Sequence, residues 1–205
     1  MNTKKNLIEH LEENTQVFKR KEFADAFEHI DRVDFVIDDC KVEAYEDYPL
    51  PIAKEQSISQ PTTVAFMLEL LSPERGEKIL DVGSGSGWTT AIIAHIIGEK
   101  GYVWGVELLP DLVSFGRKNI SKYHFKNAEI LQAGDILGLP HEAPFDKILV
   151  SACADNIPQE LMEQLKEGGI MVLPIGDSIC KVEKKSDGVE IKHYPGFAFV
   201  PLITK

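Results

Sequence analysis

Residues Asp81 to Gly87 form the segment with the clearest chemical potential, and they read Asp-Val-Gly-Ser-Gly-Ser-Gly. They overlap the end of an apolar run, Lys78 to Val82, that predicts a strand, and a helical pattern begins at Trp88. Glycine permits a sharp turn and lets a ligand touch bare backbone. The start of a helix adds N–H groups that lack partners inside the helix. The sequence therefore predicts a ligand-binding turn between strand and helix.

The spacing of the glycines decides which ligand this turn suits. A dinucleotide-binding turn of the G-x-G-x-x-G type would need a glycine at Trp88, and a P-loop would need a lysine that this segment does not contain. The pattern G-x-G-x-G after an acid resembles motif I of the class I methyltransferases. That resemblance implies that the turn holds the aminoacyl end of S-adenosylmethionine.

Two acids further along the chain fit the same cofactor. Glu107 ends the second predicted strand, twenty residues after Gly87, where a carboxylate can accept hydrogen bonds from both ribose hydroxyls. A solvated acid is the competing interpretation, because glutamate is usually exposed. Asp135 follows the third strand, where the class resemblance implies recognition of the adenine amino group. Here a loop acid in an Asx-turn competes.

Further segments resemble the protein-L-isoaspartate O-methyltransferases, in that family's order and from about Arg32 to the C-terminus. The matching segments are Tyr45 to Ile52, Ser57 to Pro61, Glu142 to Asp146, Gln164 to Gly169 and Phe199 to Leu202. The resemblance implies methyl transfer from S-adenosylmethionine to the α-carboxylate of an L-isoaspartyl residue in a damaged protein or peptide. The ester closes to a succinimide, which reopens partly as normal aspartate.

The resemblance also implies which residues form the site. Ser59 matches the family's active-site hydroxyl residue and is the expected catalytic residue, although it could instead cap the helix that begins near Pro61. The expected cofactor-binding residues are Ser57, Ile58, Ser59, Asp81, Gly83, Ser84, Gly85, Gly87, Glu107, Leu108, Asp135 and Ile136.

Methylation of a carboxylate needs little chemical help from the protein. The carboxylate is already ionised at neutral pH, and the sulfonium of the cofactor is already activated. We therefore expect no metal and no general base, and Ser59 would orient a reactant as a hydrogen-bond donor. His95 is expected to be an ordinary core or surface histidine. Cys153 could face the acceptor or be a small buried residue.

Several positions depart from the family pattern. Ala53, Lys54 and Glu55 stand where the family usually has glycines, and Ile136 stands where a second glycine is usual. The altered loop from Ala53 to Glu55 leaves methylation of another carboxylate acceptor as an alternative. A second alternative is a non-catalytic module that keeps the glycine turn and binds S-adenosylmethionine or S-adenosylhomocysteine.

Composition and charge indicate which partners and which cellular compartment to expect. The chain has 205 residues and a formal net charge of −11, so we expect no nucleic-acid partner. Its apolar runs are too short for a membrane span, and three widely spaced cysteines favour a reducing cytoplasm. We expect no membrane partner and a monomer.

The periodicity of apolar residues predicts an α/β fold. Amphipathic helices are predicted from Asn6 to Phe18 and from Lys21 to Ile30, followed by an irregular connection from Asp38 to Gln60. Strands and helices then alternate, which predicts a doubly wound, mostly parallel Rossmann-like sheet with an antiparallel strand pair at its C-terminal edge. We expect one methyltransferase domain over residues 1–205, with N-terminal helices and a covering loop in 1–60 and the Rossmann-like core in 61–205.

Overall fold

The computed structural model of the chain describes residues 1, 3–53 and 56–203. Its strands are β1 (Leu50–Ala53), β2 (Gln56–Ile58), β3 (Lys78–Val82), β4 (Tyr102–Glu107), β5 (Ala128–Gln132), β6 (Phe145–Val150), β7 (Leu165–Ile175), β8 (Ser178–Lys185) and β9 (Gly188–Pro195). Its α-helices are α1 (Lys4–Glu9), α2 (Lys21–His29), α3 (Pro61–Leu71), α4 (Trp88–Ile97), α5 (Pro110–Ser121) and α6 (Gln159–Gln164).

The central sheet has seven strands in the order β5-β4-β3-β6-β7-β8-β9. The first five of these pair in parallel, whereas β7-β8 and β8-β9 pair antiparallel. The predicted fold class, with its antiparallel pair at the sheet edge, is therefore confirmed. The strand order reverses at β3, and doubly wound folds bind ligands at such a reversal, beyond the carboxyl ends of the strands.

Alternation of side chains along the strands gives the sheet two buried faces. In β3, Ile79 joins the hydrophobic cluster that contains residues of α3, α4 and α5. Its neighbours Leu80 and Val82 join a second cluster, which contains residues of α6. Successive strand residues point to opposite faces, so helices cover both sides of the sheet.

The N-terminal helices pack onto this core through aromatic side chains. Phe27 of α2 meets Trp88 of α4 edge to face, with ring centroids 5.4 Å apart, and Phe18 meets Phe27 at 5.1 Å. Such pairs contribute about 0.5–1.5 kcal/mol beyond the burial of their area. Leu7 of α1 and Phe23 of α2 belong to the same cluster as Ile79 of β3. The N-terminal segment and the sheet thus share one core.

Two predictions for the N-terminal part were wrong in detail. The first helix begins at Lys4 and its α-helical part ends at Glu9, where a π-helical turn, His10–Asn14, takes over. The connection predicted to be irregular contains a 3₁₀ helix, Asp38–Glu43, and an antiparallel hairpin of β1 and β2. These strands have only four and three residues, and Pro51 interrupts the pattern that marks a strand.

Among the described residues, no helix combines the length and the apolar composition needed to cross a membrane.

Candidate functional site

A central cleft opens where β3, β4, β5 and β6 end. With its open mouth it encloses about 1120 Å³. The glycine turn and the ends of β3 and β4 form its floor, the β1-β2 hairpin lies on one side, and residues 200–203 line another part of the wall. The cleft therefore occupies the place at which this strand order favours ligand binding.

The turn after β3 is held in shape by hydrogen bonds from both neighbouring elements. The N–H groups of Gly83 and Ser84 donate to the carbonyl of Val106 at 2.9 and 3.1 Å. The Asn119 amide of α5 donates to the carbonyl of Ser86 at 3.0 Å. These partners are buried backbone and side-chain groups, so the protein's own hydrogen bonds hold the turn in shape.

Glu107 is buried at the edge of the cleft, with only 7% of its surface exposed. Its Oε2 accepts the N–H of Gly85 and its Oε1 accepts the N–H of Leu109, both at 2.9 Å. A carboxylate oxygen can accept more than one hydrogen bond, so each keeps capacity for a ribose hydroxyl. The predicted alternative of a solvated acid does not fit this burial.

Replacing Glu107 with alanine should weaken binding of S-adenosylhomocysteine by about 10- to 100-fold, because charge-assisted hydrogen bonds contribute roughly 1.5–3 kcal/mol. Calorimetry measures the loss, with Glu99→Ala, an exposed acid outside the cleft, as the control. A loss smaller than about threefold in a folded Glu107→Ala protein would contradict a direct part in binding.

Ten of the twelve predicted cofactor residues line the central cleft. They are Ser57, Ile58, Ser59, Gly83, Ser84, Gly85, Glu107, Leu108, Asp135 and Ile136. Of the other two, Gly87 begins α4 with φ +86°, and a Cβ there would lie 3.2 Å from the backbone oxygen of Gly116. Gly87 therefore shapes the contact between the turn and α5, where no side chain fits. Gly87 itself is not among the residues that line the cleft.

Asp81 is the second predicted residue that does not line the cleft. It is fully buried beneath the turn, and its Oδ2 accepts the hydroxyl of Thr90 at 2.6 Å. Burial is the main effect that raises the pKa of Asp81, and the charge of Glu107 also raises it, whereas the hydrogen bond from Thr90 lowers it. The net result is a pKa of about 7. Asp81 thus supports the turn from below, since it lies at the last but one position of β3.

The raised pKa of Asp81 makes stability depend on pH. The folded chain holds this proton up to a pKa of about 7, whereas the unfolded chain releases it near 3.8. Between these values the folded state binds more protons, so its stability falls as pH rises. Between about pH 5 and pH 8, the free energy of unfolding measured with urea should fall less in Asp81→Asn than in the unchanged chain, by roughly 1–3 kcal/mol. The same pH dependence of the free energy of unfolding in the unchanged chain and in Asp81→Asn would contradict the raised pKa of Asp81.

Ser59 lies on the cleft wall, and the predicted alternative role as a helix cap was wrong. The N-cap residue of α3 is Gln60, without a side-chain capping bond. Instead, Asp47 accepts the N–H of Thr62 at 2.9 Å and its hydroxyl at 2.7 Å. These bonds, with others from Gln60 and His10, hold the pKa of Asp47 below its usual value despite the opposing effect of partial burial.

Arg32 is an organising residue that the sequence did not reveal. Its guanidinium is 2% exposed and donates to four backbone carbonyls, those of Ala44, Glu46, Tyr48 and Ser59, at 2.9–3.1 Å. It also lies over the ring of Trp88, 5.3 Å from the centroid. The guanidinium of Arg32 therefore connects three parts of the structure: the loop before β1, the backbone of Ser59 and the start of α4.

The C-terminal segment is a second part of the site that sequence reasoning did not place. Val200, Pro201, Leu202 and Ile203 line the cleft. The segment is attached next to β6, because the N–H of Cys153 donates to Val200 and the N–H of Leu202 donates to Cys153. Cys153 is not among the residues that line the cleft. The prediction that its side chain faces the acceptor therefore has no support.

The residues present fit S-adenosylmethionine. The Ser84 hydroxyl lines the cleft but is buried, and it has no hydrogen-bond partner among the described residues. Gly85 has φ +53°, and a Cβ there would point into the space between the turn and Ile52, 3.3 Å from its terminal methyl. A polar group without a partner and a bare backbone beside a carboxylate suit a ligand with amino, carboxylate and ribose groups.

Comparison with known proteins places this arrangement in a family. A family model described as protein-L-isoaspartate(D-aspartate) O-methyltransferase matches residues 2–205. A protein-L-isoaspartate O-methyltransferase of Ignicoccus hospitalis is 40% identical over 190 residues, 90% of each chain. One of Methanopyrus kandleri is 44% identical over 186 residues, 88% of this chain and 82% of the relative.

A solved structure gives the same result for the fold. It is the structure of a Plasmodium falciparum protein of this class in complex with S-adenosyl-L-homocysteine, 26% identical in sequence. The match has a TM-score of 0.87 and covers 100% of both chains. With the cleft described above and the sequence match along its whole length, the chain belongs to the protein-L-isoaspartate(D-aspartate) O-methyltransferase family.

Proposed function

We propose that this enzyme transfers a methyl group from S-adenosylmethionine to the α-carboxylate of L-isoaspartyl residues in damaged proteins or peptides, the first step of their repair. One observation carries the proposal. The family match runs through residues 2–205, and within it the glycine turn and the Ser59 loop line the same cleft. The acceptor and the methyl donor can therefore meet between these two segments.

The cleft residues hold the cofactor and exclude water. When bound, S-adenosylmethionine supplies an activated methyl group on a sulfonium. We assign the ribose to Glu107, the aminoacyl end to the backbone of Gly83 and Gly85, and the adenine to the loop that contains Asp135 and Ile136. Leu108 and the backbone of residues 57–59 complete this set. Ile136 is 58% exposed at the mouth, so its side chain leaves the interior of the cleft open.

Positioning is the main contribution of the protein to the reaction. A carboxylate is ionised at neutral pH, so no side chain has to remove a proton from it. Holding the carboxylate oxygen in line with the donor can lower the barrier by several kcal/mol. Ser59 is the catalytic residue that we assign to this task, because it lies on the cleft wall and Arg32 fixes its backbone at 3.1 Å.

Replacing Ser59 with alanine should slow methyl transfer by about tenfold and leave cofactor affinity nearly unchanged. Removal of one positioned donor costs about 10²–10³ when charge builds up in the transition state. Here charge is neutralised as the anion meets the sulfonium, so the loss is smaller. Initial rates are compared with those of Ser121→Ala, a serine on the exposed face of α5. Full activity in a folded Ser59→Ala protein would leave Ser59 without a catalytic role.

A comparison of acceptors tests the proposed function. Labelled S-adenosylmethionine is offered with an isoaspartyl peptide, with its aspartyl twin and without acceptor. We expect label only on the isoaspartyl peptide. Transfer to a different carboxylate alone would support the alternative acceptor, and cofactor binding without any transfer would support a non-catalytic module. Of the three loop positions that motivated the alternative acceptor, Lys54 and Glu55 lie outside the described residues, and Ala53 ends β1.

We further propose that residues 1–205 act as one methyltransferase domain, as a monomer in the cytoplasm, without nucleic-acid or membrane partners. The cluster that joins Leu7 to Ile79 supports the single domain. The net charge of −11 supports the absence of a nucleic-acid partner. Three free cysteines, Cys40, Cys153 and Cys180, support a reducing compartment.

A further inference from the structure

Two histidines and one aspartate meet on the surface between α2 and α4, away from the central cleft. Asp25 and His29 lie one turn apart on α2, and His95 lies in the last turn of α4. The Nε2 of His95 is 3.0 Å from Oδ2 of Asp25, and the Nδ1 of His29 is 3.4 Å from Oδ1. One ligand atom from each of the three side chains lies within 4.8 Å of the others.

We propose that Asp25, His29 and His95 form a surface site for a divalent transition-metal ion such as Zn²⁺, which links the ends of α2 and α4. Two imidazoles and a carboxylate are ligands that suit zinc, and an open fourth position can take water. The same set is poor for Mg²⁺ or Ca²⁺, which prefer oxygen ligands. The site concerns stability and does not enter the methyl transfer.

The geometry requires only small adjustments of the side chains. A zinc tetrahedron with bonds of about 2.0–2.1 Å separates its ligand atoms by roughly 3.3 Å, compared with the limit of 4.8 Å here. The side chains of Asp25 and His29 are about half exposed and that of His95 is 29% exposed. They can therefore change rotamer freely. The two imidazole rings already stack, with centroids 4.8 Å apart and planes at 25°.

The surroundings favour a cation. His29 is the last residue of α2, and α4 ends two residues after His95, so both helices present their negative ends. The Nδ1 of His29 lies 2.8 Å from the backbone oxygen of Asp25. With Nδ1 engaged in this way, Nε2 is the nitrogen of His29 that is left to bind the ion, as is common for ligating histidines.

Charges of both signs surround the site, and among them Lys21 acts on Asp25 as a competing positive charge. Beside the cluster is an open cavity of about 900 Å³, which can admit the ion and water. Its charged lining residues besides Asp25 and His95 are Arg20, Arg75, Glu22 and Glu74. The two arginines and the two glutamates offset one another.

Calorimetric titration of the whole chain with Zn²⁺ tests the site. We expect one site whose affinity falls at least about tenfold in His29→Gln and in His95→Gln, because each change removes a ligand. His141→Gln, an exposed histidine elsewhere, and His193→Gln, which contacts Cys180, should bind as the unchanged chain does. Mg²⁺ should not bind at this site.

Thermal unfolding provides an independent measurement. Because the ion binds the folded state, Zn²⁺ should raise the unfolding midpoint of the unchanged chain and of His141→Gln, and raise it less in His95→Gln. Failure of the unchanged chain to bind Zn²⁺ would overturn the proposal. So would zinc affinity that survives His29→Gln and His95→Gln but is lost in His193→Gln, because the ion would then be held by Cys180 and His193.

Discussion

Replacing Gly85 with valine should abolish measurable binding of S-adenosylhomocysteine, a loss of more than about 100-fold. The backbone at Gly85 has φ +53°, a conformation that is poor for a β-branched residue. The two methyl groups of valine would also occupy the space between the turn and Ile52. Among the described residues, the only side chain within 4 Å of the new Cβ is that of Ile52, whose flexible end lies at 3.3 Å. The fold should therefore survive while the cleft is filled.

Gly168→Val is a matched control for this experiment. Gly168 has φ +75°, and apart from its chain neighbours no atom in the described part of the chain lies within 4 Å of a Cβ built there. Valine at this position imposes a similar backbone strain outside the cleft. Calorimetry should show normal binding in Gly168→Val and none in Gly85→Val, with circular dichroism checking that both are folded. Unchanged affinity in a folded Gly85→Val protein would refute the placement of the cofactor.

Replacing Arg32 with methionine should destabilise the protein by at least about 3 kcal/mol. Hydrogen bonds to charged groups contribute roughly 1.5–3 kcal/mol each, and loss of the donor leaves buried carbonyls unsatisfied. Four carbonyls depend on this guanidinium, which stays charged at neutral pH although burial lowers the pKa of Arg32 to about 10. Because Ser59 is among the four residues, the remaining folded protein should also methylate more slowly.

Urea denaturation measures the change in the free energy of unfolding. Arg75→Met serves as the control because Arg75 is exposed, and exposed substitutions usually change stability by no more than about 0.5 kcal/mol. If Arg32→Met and Arg75→Met unfolded at the same urea concentration and methylated equally fast, the organising role of Arg32 would be lost.

The parts of the site that the sequence predicted have local signals. The run from Lys78 to Val82 is β3, and α4 begins at Trp88, both as predicted. An apolar strand, closely spaced glycines and a mostly apolar helix are neighbours in the chain, so their pattern can be recognised without knowledge of the fold. Glu107 also has a local signal, because it ends a predicted strand. In the structure its buried carboxylate accepts hydrogen bonds from two backbone N–H groups.

The parts that the sequence did not predict depend on contacts between distant residues. The four hydrogen bonds of Arg32 go to backbone carbonyls, and a backbone carbonyl is the same whatever the side chain of its residue. Capping of α3 by Ser59 is the alternative that its place just before Pro61 suggests, whereas Asp47 reaches Thr62 across fifteen positions. Pro201 reaches the cleft through pairing with Cys153, a contact that no local pattern indicates. The metal-ligand cluster joins Asp25 to His95, seventy positions apart.

Repair of an isoaspartyl peptide is the most direct test of the central claim. The peptide is incubated with the chain and S-adenosylmethionine, and its products are followed by chromatography and mass spectrometry. The account predicts a methyl ester at early times, then a succinimide, then accumulation of the normal aspartyl peptide, and none of these without the cofactor. If the chain binds S-adenosylhomocysteine but forms neither ester nor aspartyl peptide, the assignment of repair methylation is contradicted.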